Sequence, residues 1–242
     1  MIDPPAARFS PHADAYAANR PSYPPEALDA LLRGLGNPSQ LTIADVGAGT
    51  GIASEQLAGR DANVCAVEPN ADMRTRAVPN PRIVWRDGTA EATGLPDKSV
   101  DVAAAFQAFH WFDAGAAVAE FRRISRRRIA LLQYERDESE PFAAAYGELV
   151  RRFAIEPVEE RRARALQGFE RLTQPCTRSE FHYAQVLNEE RMLGRMASTS
   201  YLPPSGNAAL ELQGEARTLF RRFAVSGEVS LAMICFVITA DA

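Results

Sequence analysis

Apolar positions along the chain fall into two alternating rhythms. Short runs at LTIADV (41–46), NVCAVEP (63–69), RIVWRD (82–87), VDVAAAF (100–106) and RIALLQYE (128–135) have the length and β-branched content of buried strands. Between them GIASEQLAG (51–59), ADMRTRAV (71–78) and AGAAVAEFRRIS (114–125) have helical rhythm. Ahead of all these, Leu28, Leu31, Leu32 and Leu35 share one face of a predicted helix over 24–36 that a glycine ends. Such alternation predicts an α/β fold, a Rossmann-like doubly wound and mostly parallel sheet with helices on both faces.

The rhythm changes after Glu135. Residues 136–172 are charged and helical, with no strand run, and read as an inserted cap. FHYAQVL (181–187) predicts a strand, 189–199 a helix, 201–207 a turn and 208–224 a last helix. The run VSLAMICFVITA (229–240) is shorter than the roughly 20 residues a membrane helix takes, so it reads as a buried strand and no membrane insertion is expected. The expected organisation is a segment over 1–35 that covers the ligand site, a core from 36–135 and 207–242, and a mainly helical cap over 136–206 with one core strand at 181–187.

Composition narrows the function classes. The 242 residues are 46% hydrophobic, enough for one sizeable core, and the net charge of −4 argues against a nucleic-acid partner. The basic run RRISRRR (122–128) reads as a solvated helix end, where cations complement the dipole. Cys65, Cys176 and Cys235 are odd in number, far apart and without a CxxC pair, so neither a disulfide framework nor a metal site is expected and a reducing cytoplasm fits best. The first residues lack a basic stretch followed by an apolar one, so no secretory leader is expected.

The chemistry concentrates in DVGAGTG (45–51). Gly47 and Gly49 allow φ > 0 and close approach of a ligand to bare backbone, and Gly51 lets a helix start against the strand. The bland alternative is a tight turn with no ligand. The spacing is GxGxG, and Ile52 stands where a dinucleotide fingerprint has glycine or alanine. Asp45 would repel a pyrophosphate but suits a ligand ammonium group. Glu68, closing the second strand, is placed to accept from both hydroxyls of a ribose. A nicotinamide-dependent oxidoreductase is therefore the less favoured enzyme reading.

Together DVGAGTG, VCAVEPN (64–70) and DGTAEATGLPDKSVDVAAAFQAFHWFD (87–113) resemble the class I S-adenosylmethionine-dependent methyltransferases, nearest the branch of ubiquinone-biosynthesis-type and trans-aconitate-type small-molecule enzymes. The likeness covers roughly residues 9–135. It implies S-adenosylmethionine as cofactor, held by Asp45, Gly47, Ala48, Gly49 and Gly51, by Glu68 and Pro69, by Thr89, Ala90 and Glu91 around the adenine with help from Asp87, and by Gln107 near the methionine end. Relatives commonly carry an acid where this chain has Thr89, and their PGG turn before the fifth strand is here SRRR (125–128), expected to be a surface loop.

Within FQAFHWFD (106–113), His110 is the candidate base or acceptor-orienting residue, and Trp111 and Phe112 are candidate apolar walls. In the family an N-terminal segment folds over the cofactor, which brings in Tyr16 and Tyr23 as pocket residues and Arg20 as a clamp on a carboxylate. The implied activity is methyl transfer to a small-molecule acceptor by a monomer or weak homodimer. A non-catalytic S-adenosylmethionine-binding module is the alternative from another class, because a cofactor motif specifies binding and not turnover.

Overall fold

Continuous apolar runs pair as the middle of one sheet, because only a strand covered on both faces tolerates them. In the computed structural model, which describes residues 22–242, β1 (Thr42–Val46), β2 (Asn63–Val67), β3 (Ile83–Arg86), β4 (Val100–Phe106) and β5 (Ser125–Arg136) are parallel neighbours. Two later strands, β6 (Cys176–Leu187) and β7 (Val229–Asp241), complete a seven-stranded sheet of order β3-β2-β1-β4-β5-β7-β6. β7 runs antiparallel to both of its neighbours. The doubly wound, mostly parallel sheet expected from the sequence is therefore present.

Alternate residues of the strands feed two cores. On one face Ile43, Val64, Val102 and Leu132 pack with Leu28 and Leu31 of α1 (Pro25–Leu32), Leu57 of α2 (Ile52–Ala58), Phe142 of α5 (Pro141–Phe153), Met192 of α7 (Glu189–Ala197) and Leu212 of α8 (Gly206–Phe223). On the other, Ala44, Ala103 and Ile129 pack with Phe121 of α4 (Ala114–Ile124) and Phe169 of α6 (Val158–Leu172). Helices of the 136–206 segment thus lie on both faces.

Three local expectations change. The helix expected over 71–78 is only α3 (Ala71–Arg74), capped by the Asn70 side chain on the N–H groups of Asp72 and Met73. β6 begins at Cys176 and not at 181, because it is an edge strand whose alternate residues face solvent and whose first half carries little apolar signal. The SRRR segment is not a loop but the start of β5. Arg126 pairs with Asp101, while Arg127 donates to the Leu35 carbonyl at 2.7 Å and Arg128 to that of Arg33 at 3.0 Å. Only Arg122 and Arg123 sit in the last turn of α4; Arg127 and Arg128 satisfy carbonyls at and just beyond the end of α1, while Arg126 turns to Asp101.

Candidate active site

Strand order reverses between β1 and β4, and the crevice outside their carboxyl ends is where a doubly wound sheet receives its ligand. The glycine loop leaves β1 on one side of it. Gly47, Gly49 and Gly51 take φ of +72°, +60° and +91°; the left-handed region was expected to be open to the first two, and Gly51, expected only to bring the helix close to the strand, adopts it as well. Gly47 and Ala48 both donate to the Val67 carbonyl, at 2.8 and 3.1 Å, which ties the loop to the end of β2. A Cβ at Gly51 would lie 2.9 Å from the Trp85 ring, and one at Gly47 would lie 2.8 Å from Phe112. One at Gly49 would meet only Met73, at 3.6 Å, so the middle of the loop is open.

Two buried carboxylates flank that loop. Asp45, on β1, has no solvent exposure; its Oδ2 accepts from the Ser54 hydroxyl at 2.6 Å, and its Oδ1 has no partner. Burial pushes its carboxyl up to about 7, the Ser54 hydrogen bond opposes that, and the Glu68 charge adds to it. Glu68, 8% exposed, accepts from the Gly49 N–H and the Asn70 N–H, each at 2.9 Å. Burial also raises its pKa, against those two bonds and the nearby Arg74. A carboxylate offers about four acceptor sites, so Glu68 keeps roughly two for a ligand. The Thr50 hydroxyl, between two of the glycines, is likewise buried and without a partner.

The loop after β3 carries Thr89, whose N–H donates to the Ala92 carbonyl at 3.1 Å, the buried Ala90, and Glu91, which accepts from the Asp113 N–H at 2.9 Å. That last bond fastens it to the loop after β4. Pro69 is exposed at the end of β2 beside Asn70. After β4, Gln107 sits at φ +55°, and its side-chain amide exchanges two bonds with the Tyr134 backbone, at 3.1 and 2.8 Å. A non-glycine residue in that region costs of order 1–3 kcal/mol and persists where its surroundings fix it. A short 3-10 turn then buries His110 beside the Trp111 ring, 4.9 Å away, and Arg161 of α6 lies over that ring at 4.8 Å.

Tyr23 is buried at the same end of the sheet, edge-on to Phe106 at 5.3 Å and close to Tyr134 at 5.6 Å. Gln56 holds its backbone through two bonds of 2.8 Å. Tyr16 and Arg20 lie outside the described residues. The other candidate residues therefore lie on the end of β1 and on the four loops that follow β1, β2, β3 and β4, with Tyr23 packed on Phe106 at the same end of the sheet. Ser54, Thr50 and Asn70 were not singled out in the sequence; only the position of Thr50 between glycines could have marked it. Among the described residues no group of His, Cys, Asp or Glu could hold a metal ion, and no helix is long and apolar enough to cross a membrane.

Known proteins resemble this chain in the same region. The sequence pattern of a family described as a methyltransferase domain matches residues 44–130. An uncharacterised methyltransferase of Mycobacterium tuberculosis is 34% identical over 200 residues, which cover 80% of this chain and 76% of that protein. A solved structure from Anaeromyxobacter dehalogenans, provisionally described as a type II methyltransferase, superposes with a TM-score of 0.65 at 27% identity, covering 92% of this chain and 97% of that one. An S-adenosylmethionine-dependent methyltransferase of Geobacter sulfurreducens, solved with S-adenosylhomocysteine, shares the fold at 15% identity and a TM-score of 0.54, with both chains fully covered.

Proposed function

Because the chain belongs to the class I S-adenosylmethionine-dependent methyltransferases, we propose that it binds S-adenosylmethionine in the crevice between β1 and β4 and transfers the methyl group to a small organic acceptor. The observation that carries this is the pair of buried carboxylates with spare acceptor capacity: Asp45 Oδ1 has no partner, and Glu68 is held by only two N–H groups. A ligand with an ammonium group and a ribose satisfies both, whereas a pyrophosphate would sit between two negative charges. That separates this reading from a nicotinamide-dependent oxidoreductase.

In this reading Asp45 takes the ammonium group, Glu68 the ribose hydroxyls, the open backbone at Ala48 and Gly49 the methionine chain, and Thr89, Ala90 and Glu91 the adenine, with Pro69 beside them. When bound, the sulfonium supplies an activated methyl group, displaced in line by the acceptor. The protein contributes alignment and exclusion of water. Trp111 and Phe112 form the apolar wall. Gln107 fixes the turn that carries His110, which orients the acceptor or takes its proton. The segment from Arg136 to Asn207 shapes the acceptor side.

Calorimetric titration of cofactor-free protein with S-adenosylmethionine, S-adenosylhomocysteine and NADH tests the reading. Saturable binding of the first two and none of NADH is the expected result. Binding of NADH alone would overturn it.

A further inference from the structure

Beyond the carboxyl end of β5 the structure encloses a cavity of about 30 Å³, walled by Tyr134 and Arg136, by Tyr146 of α5, by Arg162 of α6 and by Arg195 of α7. That space holds one or two waters or the head of a carboxylate. Three guanidinium groups reach it, and they are unequally neutralised. Arg136 belongs to a balanced network with Glu138, Glu159 and Arg151. Arg195 is only 7% exposed; its Nη1 donates to Gln185 Oε1 at 2.6 Å, its Nη2 faces the Met233 sulfur at 3.8 Å, and no carboxylate of the described residues pairs with it. Arg162 has a buried Nε without a partner, and its guanidinium lies over the Tyr201 ring at 5.6 Å.

The one acid on the wall, Glu135, accepts from Gln133 Nε2 at 2.8 Å. Two guanidinium groups thus face one carboxylate. A buried cation is normally paired, because desolvation costs it more than neutral contacts return. Its missing counter-ion is the feature to explain. The cavity also adjoins the acceptor side of the crevice, since the Tyr134 backbone on its wall is the partner of Gln107, three residues before His110.

We propose that this cavity receives a carboxylate of the methyl acceptor, with Arg195 and Arg162 as its specificity-determining residues. A planar guanidinium fork matches a carboxylate or a phosphate, and the small volume favours the two-oxygen head of a carboxylate over a tetrahedral phosphate. This rests on the methyltransferase reading of the crevice for its meaning, but the anion site has its own readout.

The test uses the full chain saturated with S-adenosylhomocysteine. Benzoate and succinate are titrated by calorimetry against benzamide, succinamide and inorganic phosphate, in wild type, Arg195→Met and Arg162→Gln. Saturable binding of at least one carboxylate, no binding of its amide, and a tenfold or greater loss in either folded variant are expected. Absence of carboxylate binding, equal binding of the amides, preference for phosphate, or unchanged affinity in the variants would each overturn the proposal. Should Arg195→Met fail to fold, Arg162→Gln alone decides, because that residue is half-buried and makes fewer structural bonds. Failure of S-adenosylhomocysteine to bind wild type would instead count against the crevice reading, and the carboxylate titration would still report on the cavity.

Discussion

Replacing Asp45 with Asn removes a buried carboxyl that the cofactor-free protein keeps neutral only by holding a proton. The folded carboxyl titrates at about 7 against an ordinary 3.8, with burial as the main cause. Between those values the native state binds more protons than the unfolded state, so stability falls as pH rises through that window and stays low above it. Moving the titration from 3.8 to about 7, at ~1.4 kcal/mol for each tenfold change in proton affinity, makes the ionisation penalty about 4 kcal/mol once pH exceeds 7. The Asn side chain keeps an acceptor for Ser54 but leaves an amide unsatisfied, which returns about 1–3 kcal/mol of that gain. Urea unfolding from about pH 5 to about pH 8 should therefore show wild type losing stability and the variant nearly flat, with the variant the more stable at the alkaline end. Affinity for S-adenosylmethionine should run the other way, rising with pH toward 7 in wild type as the carboxylate forms, and low throughout in the variant. Parallel stability curves for the two proteins would refute the reasoning, because only the Asp45 proton distinguishes them.

Other substitutions separate folding from binding. Gly49→Ala adds a Cβ that meets only Met73 at 3.6 Å, so it should fold with a loss of about 1–2 kcal/mol for the left-handed backbone yet bind S-adenosylhomocysteine at least tenfold more weakly by calorimetry. Gly47→Ala drives a Cβ to 2.7 Å from Ala108 and 2.8 Å from Phe112, and should lower the unfolding free energy by about 2–4 kcal/mol, measured in urea. Glu68→Ala should weaken the cofactor by about 1.5–3 kcal/mol per lost charged hydrogen bond, with Glu68→Gln recovering part of it. Glu120, held down to about 2 chiefly by its bond to Arg123, contributes stability that is present above its ordinary 4.5 and lost as pH falls through 2. Glu120→Gln should thus cost about 2 kcal/mol near neutral pH, with the gap to wild type closing in acid.

What the sequence revealed follows from how local each signal is. The glycine loop was legible because φ > 0 is a property of single residues, and Glu68 because a strand end fixes where its side chain emerges. The start of β6 was hidden, since an edge strand with a solvent face carries only half the apolar pattern. Arg127 and Arg128 of SRRR misled for a related reason: at the entry of a strand their partners are carbonyls just beyond α1, more than ninety residues earlier in the chain. The Arg162 and Arg195 pair had no signature at all, because α6 and α7 bring it together only after β5, β6 and β7 have paired.

The distribution of charge around the crevice also bears on which residues set rate and which set affinity. Asp45 and Glu68 would hold an ammonium group and a ribose, neither of which changes charge as the methyl group moves. Their interactions are equal in ground and transition states, so they strengthen binding without lowering the barrier. The turn after β4 is different. Phe109 packs edge-on to Phe112 at 5.8 Å and to Phe169 at 5.0 Å, and with Trp111 these rings give an apolar surround. A low-dielectric wall solvates a concentrated cation poorly and a dispersed one less so, and transfer to a neutral or anionic nucleophile disperses or removes the sulfonium charge. Steady-state kinetics with an accepted substrate should therefore split the two groups. Asp45→Asn and Glu68→Gln should raise KM for the cofactor with kcat little changed, while Phe112→Leu should lower kcat with cofactor affinity nearly preserved. If the acids instead governed kcat, they would act on the reacting carbon itself, and the assignment of ammonium and ribose to them would have to be abandoned.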